Sequence, residues 1–364
     1  MMELQVNQEI FARGLQLVQS VVEPRQTLPI LANVLLEASG EVLRISATDL
    51  EVAVRMAVPA VVSAPGGITL NARKLYEIVR ELPPQVVKVH VQENSWVSLA
   101  CGGAGYKVVG LPKEDFPAIP EGGGESEGRL PAARLKEVIA RTSFAISHDE
   151  GRYALNGIHF ALQQKELRLV ATDGHRLAMA SCALEGTTQA TGIVPRKAVQ
   201  ELLRALTGEE WVEVALRDNQ FIARMSAFQL VSRLIDGQFP NYEQVIPRGH
   251  PIRLVVDRER LVAALRRVSV VAEERTKPVK LSLSPGQLNV TASNPDFGEA
   301  QETLAVDYEG EAVAVGFNSR YLLDALGPVE GATVVLELKD PLSPGVVKGI
   351  EESGDLCVIM PMRI

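Results

Sequence analysis

Cysteine is scarce: Cys101, Cys182 and Cys357 are the only three in 364 residues. They are odd in number and far apart, which excludes a disulfide framework and a CxxC metal site, and fits a reducing compartment. Aromatic residues make up 5% of the chain, so any core must be aliphatic. A basic excess is also missing. There are 37 Lys+Arg against 45 Asp+Glu, for a formal net charge of −8. That excludes a uniformly basic nucleic-acid-coating protein. Long apolar runs are absent too. The longest uncharged stretch, 56–72, contains two prolines and two glycines, so it cannot be a membrane helix. The N-terminal MMELQVNQEIFARGL has neither a basic segment nor an apolar run, so no secretory signal is expected there. A soluble cytoplasmic protein is the expectation.

What is present is a chain that repeats itself. With 46% hydrophobic and 23% charged residues it can bury a real core, and its length suits two to four domains. LRISATD (43–49), LRLVATD (167–173) and LNVTASN (288–294) alternate apolar residues in the period of a half-buried strand. Asp49, Asp173 and Asn294 are 124 and 121 residues apart. A helix stripe follows each: Leu75, Ile78, Val79, Leu82; Val199, Leu202, Leu203, Leu206; Leu322, Ala325, Leu326, Val329. Asn71 and Asn318 are plausible N-caps for two of these helices. A second stripe opens each repeat: Phe11, Leu15, Val18, Val22; Leu135, Val138, Ile139, Thr142; Leu261, Ala264, Leu265, Val268. The repeats close on DFPAIP (115–120), QFPNYEQVIP (238–247) and VIMPMRI (358–364). PEGGGESEGR (120–129) reads as an exposed linker and IPRGHP (246–251) as a stiff joint. These features predict three domains, 1–120, 129–247 and 251–364, each with two helices among short strands. The class is α+β with mostly antiparallel sheet.

Charge separates along the same lines. The predicted helices (7–22, 71–82, 131–142, 195–206, 257–273 and 318–326) carry 15 Lys+Arg and 9 Asp+Glu. They sum to +6 in a chain of −8, which leaves −14 elsewhere. If the repeat places these helices equivalently, they form a basic lining inside an acidic shell. Such a lining attracts phosphate locally.

Catalytic and metal motifs are thin. GGAGYK (102–107) lacks the spacing and hydroxyl of a phosphate loop, and there is no HExxH. The histidines at 90, 148, 159, 175 and 250 show no ligand pairing. Gly124-Glu125-Ser126-Glu127-Gly128 matches GxSxG, but a nucleophile elbow needs a buried strand before the serine and a helix after it. A glycine- and glutamate-rich linker is expected instead. In ATDGHRLA (171–178), Asp173 and His175 sit two apart on a turn and do not orient one another as an acid–base pair. An exposed binding patch is the better expectation. The terminal MPMRI is apolar to its end, which suits a last strand with its tail beside a groove.

ATDGHRLA, TLPILANVLL (27–36), RYALNGIHF (152–160), FPNYEQVIP (239–247) and VIMPMRI together resemble the bacterial β sliding clamp, the processivity subunit of DNA polymerase III. The resemblance spans the whole chain. It implies the DNA clamp fold, with two three-domain chains joined head to tail as a ring around duplex DNA. It implies no catalysis and no cofactor. The implied partners are double-stranded DNA read without sequence preference, the polymerase III catalytic subunit, the clamp loader, other replication and repair polymerases and mismatch-repair proteins. By matched position, a partner-peptide groove would comprise Leu155, Thr172, Gly174, His175, Arg176, Leu177, Pro240, Val245, Ile246, Leu342, Val358, Met360, Pro361, Met362 and Arg363. DNA contacts would come from Arg25, Arg73, Arg196, Lys197 and Tyr153, with His148 and Arg152 at the ends of their loop. The dimer joint would use Lys74, Tyr106 and Lys107 on the strand Ala104–Val109, facing Val270, Glu299 and Glu302. Gln244, Ala154 and GGAGYK depart from some relatives, which carry a basic residue, an aromatic and edge-strand arginines there. Two other readings remain: a serine hydrolase through Ser126, and a peptide-binding scaffold that never encircles DNA.

Overall fold

The structure is a computed structural model that describes residues 2–23, 28–122, 127–186, 188–350 and 354–363. Among these residues there are six α-helices: α1 (Gln8–Gln19), α2 (Ala72–Glu81), α3 (Ala132–Ala140), α4 (Arg196–Ala205), α5 (Arg258–Val268) and α6 (Ser319–Leu326). All six start directly from a strand, and four share a capping device. The last residue of the preceding strand is itself the cap, its side chain accepting from backbone N–H groups of the first turn: Asn7, Asn71, Asp257 and Asn318. Asn71 and Asn318 match the sequence expectation; Asn7 and Asp257 add two more.

The apolar stripes face the core as predicted, with Ile78 and Leu203 half-buried at their margins. Helix ends differ. α1 stops at Gln19, and the turn after it buries Val21 while Val22 is only half-buried. α6 stops at Leu326 before Gly327-Pro328, so Val329 lies outside it. α5 is also shorter than the predicted 257–273. It ends at Val268, capped through the N–H of Ser269, and leaves Val270 exposed beyond its end.

The chain divides into two compact units, 1–133 with 185–234, and 134–184 with 235–364. These are not the three sequence repeats, because the middle repeat contributes to both units. In the first unit, a five-stranded sheet runs in the order Val61–Ala64, Met2–Asn7, Val86–Val91, Trp96–Cys101, Ala104–Val109. A nine-stranded sheet includes Trp211–Arg217, Gln220–Arg224 and Phe228–Arg233, then Val52–Pro59, Val42–Thr48, Asn33–Ser39 and Gly66–Asn71. The second unit aligns Gly157–Gln163, Glu166–Thr172, Arg176–Ala183, Leu356–Ile359, Gly345–Gly349, Thr333–Leu338 and Ile252–Asp257 side by side. Its other sheet has four strands, Gly298–Ala305, Gln287–Asn294, Pro278–Ser284 and Val313–Asn318.

One rule organises both units. The strand after the first ATD turn, Val52–Pro59, pairs antiparallel with the closing strand of the second repeat, Phe228–Arg233. The strand after the second ATD turn, Arg176–Ala183, pairs the same way with the closing strand of the third repeat, Leu356–Ile359. Each repeat is thus stitched to the next by the same two strands.

The linker expectation at 120–129 needs correction at its described ends. Gly122 is buried, and its carbonyl accepts from the Arg224 guanidinium. The Glu121 carbonyl accepts from the Gln229 amide at 2.7 Å. The Glu127 carboxylate accepts from the Leu216 N–H at 2.7 Å. The flanks are therefore tied to the sheet, and Gly128–Pro131 is a strand.

Asn318→Ala removes a cap that serves both Arg320 and Tyr321 N–H. It is expected to cost about 1 kcal/mol, read as a lower urea midpoint with the slope unchanged, while Asn318→Asp keeps the midpoint.

Candidate functional site

The ATDGHR segment folds as a rigid projection at the end of a hairpin. Asp173 Oδ1 accepts from the N–H groups of His175 (2.9 Å) and Arg176 (3.0 Å). Thr172 Oγ1 donates to the Arg176 carbonyl at 2.7 Å and accepts from Gly174 N–H at 3.1 Å. Gly174 takes a φ of +87°, which favours glycine. The Asp173 carboxylate therefore serves backbone and guanidinium, not the His175 ring, in line with the sequence reading that excluded an acid–base pair.

Arg176 is the most constrained cation of the site. Its Nε donates to Asp173 Oδ2 at 3.0 Å, Nη1 to Asp324 Oδ2 on α6 at 2.6 Å, and Nη2 to the Phe144 carbonyl at 2.5 Å. Its carbon centre lies 4.4 Å from the Tyr321 ring centre and 5.2 Å from that of Phe144. With three nitrogens and two rings engaged, Arg176 braces the turn rather than reaching outward. Tyr321, Asp324 and Phe144 were not singled out from sequence; only the chain's return from the third repeat brings α6 here.

Beside the turn lies an apolar shelf. Val170, Leu177 and Val358 are buried together, and Met179, Phe239, Tyr242, Ile246 and Leu356 pack on them. The Leu177–Val358 contact is a cross-strand pair of the stitched sheet. The chain end runs along the same edge. Met360 N–H donates to the His175 carbonyl at 2.9 Å and Met362 N–H to the Gly316 carbonyl at 2.8 Å. Met360, Val245 and Leu342 stay exposed on this unit, Leu342 at 71%. Gly174, His175, Pro240 and Arg363 are exposed as well, while Leu155, Thr172, Ile246, Pro361 and Met362 are half-buried. All the groove residues expected from the resemblance lie in the second unit. Phe239 and Tyr242, named only as part of a motif in the sequence, support the shelf. Phe239 stacks on His159 at 5.0 Å, and burial pushes the His159 imidazole below its ordinary pKa. Behind the strand, the Cys357 thiol is pushed up to about 12 by burial, so it is inert at neutral pH.

The cations form a second pattern. The first turns of α2, α3, α4 and α6 carry no acidic residue. They carry Arg73 and Lys74, Arg134, Arg196 and Lys197, and Arg320 instead. Cations at the positive end of a helix oppose its dipole, so helix stability does not explain them; an anion approaching both would offset that cost. Arg73 and Lys74 are exposed and share the Glu77 carboxylate at 3.0 and 2.7 Å, which holds Glu77 below the usual carboxylate range. Lys197 is engaged differently. Burial lowers its pKa, but the carboxylates of Asp49 and Glu23 outweigh that and raise it. Its ammonium braces the first unit. Arg196 is half-buried. In the second unit, Arg152 donates to the Asp173 carbonyl at 3.0 Å, and Tyr153 and His148 are exposed. Arg25 and Ser126 lie outside the described residues.

Of the residues expected at a joint, Tyr106 and Lys107 are exposed on the edge strand Ala104–Val109, and Glu299 on the edge strand Gly298–Ala305. Glu302 is bound within its own chain by Arg267 at 2.6 and 2.8 Å. Among the described residues no group of three or more His, Cys, Asp and Glu could hold a metal, and no helix is long and apolar enough to cross a membrane.

Family models for the N-terminal, central and C-terminal domains of the DNA polymerase III beta subunit match residues 2–120, 129–241 and 243–363. The chain belongs to that family. The beta sliding clamp of Pseudomonas putida is 39% identical over 371 residues, with all of both chains covered. That of Escherichia coli is 36% identical over 367 residues, again covering both in full. Among solved structures, a sliding clamp of Pseudomonas aeruginosa bound to griselimycin superposes with a TM-score of 0.94 at 38% identity, covering 100% of both chains. One from Caulobacter crescentus gives 0.92 at 37%, also with full coverage. The α+β clamp fold of the family is the fold found here.

Asp324→Ala would leave the nearly buried Arg176 guanidinium with Asp173 as its one carboxylate. The expected cost is about 1–2 kcal/mol, since Asp324 is partly exposed, read as a drop in the urea midpoint.

Proposed function

We propose that the chain is a DNA sliding clamp. Two copies close head to tail into a ring around duplex DNA, and each offers a groove that tethers the replicative polymerase, the clamp loader and other replication and repair proteins. Residues 1–120, 129–247 and 251–364 serve as the three clamp domains of each copy, and the protein acts in the cytoplasm. The observation that carries this reading is the family match over the whole chain, in order and without a missing domain.

The stitching rule supports the ring. Two junctions between successive repeats use the strand after the ATD turn and the next repeat's closing strand. By the same rule, one strand of each kind is left over. They are Gly298–Ala305, after the third repeat's ASN turn, and Ala104–Val109, the first repeat's closing strand. Both are sheet edges with unpaired backbone groups. Pairing them between two copies makes every junction alike and closes the set with two-fold symmetry.

Mechanism follows from weak contacts and strong topology. Helix N-termini with Arg73, Arg196 and their neighbours meet phosphates without reading bases, so no register on the DNA is preferred. The closed ring prevents dissociation while each contact exchanges quickly, and no bond is made or broken. The groove, with its shelf of Leu177 and Val358, takes an extended partner segment with apolar anchors, of which a few carry most of the affinity.

Protein placed on nicked circular DNA with its species' loader fraction and ATP is expected to stay on circles and to leave once the circle is cut. Binding that survives linearisation would overturn encirclement. Arg73→Glu with Arg196→Glu should shorten retention on circles and leave peptide affinity unchanged. Deleting residues 362–364 should weaken partner-peptide binding and leave dimerisation intact, read by fluorescence anisotropy and sedimentation respectively.

A further inference from the structure

The two stitched junctions are equivalent by repeat, yet they close differently. At the first, Ser20 after α1 donates from its Oγ to the buried Glu201 carboxylate on α4, so the two helices are tied directly. The offsets that carry Phe11 to Leu135 and Val199 to Leu322 make Phe144 and Asp324 their counterparts in the second unit. Those two are joined through a third residue. Arg176, which stands where the first junction has buried Val52, donates to both. The cross-strand pair beside it changes as well. Arg55 and Gln229 at the first junction correspond to Met179 and Leu356 at the second, an apolar pair in place of a polar one.

The second junction holds a cavity of about 380 Å³, a volume that suits a small-molecule site. Phe144, Met179, Ala325, Val329 and Leu356 form its apolar walls. Its charges cancel. Arg134, Arg141 and Lys348 line it, and so do Glu137, Glu330 and Asp355. Arg141 is paired with all three carboxylates, Arg134 with Glu137, and Lys348 with Glu337 at 2.7 Å. No net charge remains to draw in a phosphate or an ammonium group. Arg141 Nε, by contrast, is buried and has no acceptor among the described residues. A buried donor without a partner is costly, and a ligand carbonyl would supply the acceptor.

The walls are shared with the groove. Met179 and Leu356 pack on the shelf cluster of Val170, Leu177 and Val358. Phe144 carries the carbonyl that holds Arg176, and Ala325 follows Asp324 on α6.

We propose that this cavity is a second binding site, for a neutral small molecule with an apolar ring and one carbonyl acceptor, and that its occupation strengthens the partner groove. The coupling rests on the groove reading above; the site itself does not. The ring packs on Phe144, Met179 and Leu356, and the carbonyl accepts from Arg141 Nε. Filling the cavity stiffens the walls that brace Arg176 and carry the shelf, so a partner segment meets a surface with less freedom left to lose. The coupling is reciprocal, and a bound partner raises the affinity of the cavity for its ligand by the same factor.

The probe is indanone, a neutral bicyclic ketone, with indane as the same body lacking the acceptor. Both are titrated into the full chain with isotope-labelled methionine methyl groups. Met179 lines the cavity, whereas Met56 and Met225 belong to the other unit. Indanone is expected to shift the Met179 signal and leave Met56 and Met225 in place. Val329→Trp, which fills the cavity from a half-buried wall position, should abolish the shift. No Met179 shift at millimolar indanone, or the same shift in Val329→Trp, would overturn the site. Indanone should bind about tenfold tighter than indane, and Arg141→Lys, which keeps the charge and removes Nε, should erase that preference. Equal affinity for the two in the native chain would overturn the carbonyl contact. Anisotropy of a fluorescent peptide from the same organism's polymerase III catalytic subunit reads the coupling. Saturating indanone should raise peptide affinity about fivefold in the native chain and leave it unchanged in Val329→Trp. Unchanged affinity with the cavity occupied would overturn the coupling and leave the site standing. A peptide that fails to bind without indanone would overturn the groove reading and the coupling with it, while the Met179 shift still decides the site.

Discussion

Antiparallel pairing between the strand after one ATD turn and the closing strand of the next repeat is the interaction on which this molecule depends. It satisfies backbone groups that would otherwise lie open at sheet edges. It does so between residues far apart in sequence: Met56 pairs with Phe228, Val54 with Leu230, and Leu177 with Val358. The separations across the two junctions run from 172 to 183 residues. At that range the pairing is a tertiary event. Local propensity prepares the strands but does not choose their partners.

The candidate groove is a by-product of the second junction. Joining Arg176–Ala183 to Leu356–Ile359 brings Leu177 beside Val358 and carries the chain end past His175. The same return places α6 against the turn, where Asp324 and Tyr321 close around Arg176. Turn, shelf and chain end therefore form one connected piece. A partner segment would meet a surface that is already built, which lowers the ordering cost of binding.

The cationic helix starts follow a different logic. Lys and Arg at the positive end of a helix lose some stability to the dipole, and the repeat places the same arrangement on successive helices. In the proposed ring that cost is offset when phosphates approach. Lys197 differs from the others in being held by Asp49 and Glu23 of its own unit.

Much was legible from sequence because it is local. The period-two strands ending in ATD, ATD and ASN, the helix stripes and the Asn71 and Asn318 caps depend on residues within a few positions of one another. So does the Asp173–Gly174 turn, whose hydrogen bonds span two to four residues. Helix ends were less legible: α5 stops at Val268 because of the turn after it, not because its apolar pattern fails. What only the tertiary structure decided is which strands meet. The bracing of Arg176 by Asp324, the packing of Phe239 on His159 and the engagement of Glu302 by Arg267 all join distant segments. Sequence determines which faces are apolar and which turns are rigid, since those follow from nearest neighbours. It does not by itself select among the many edges that could satisfy the same backbone hydrogen bonds; that choice is made when the whole chain packs.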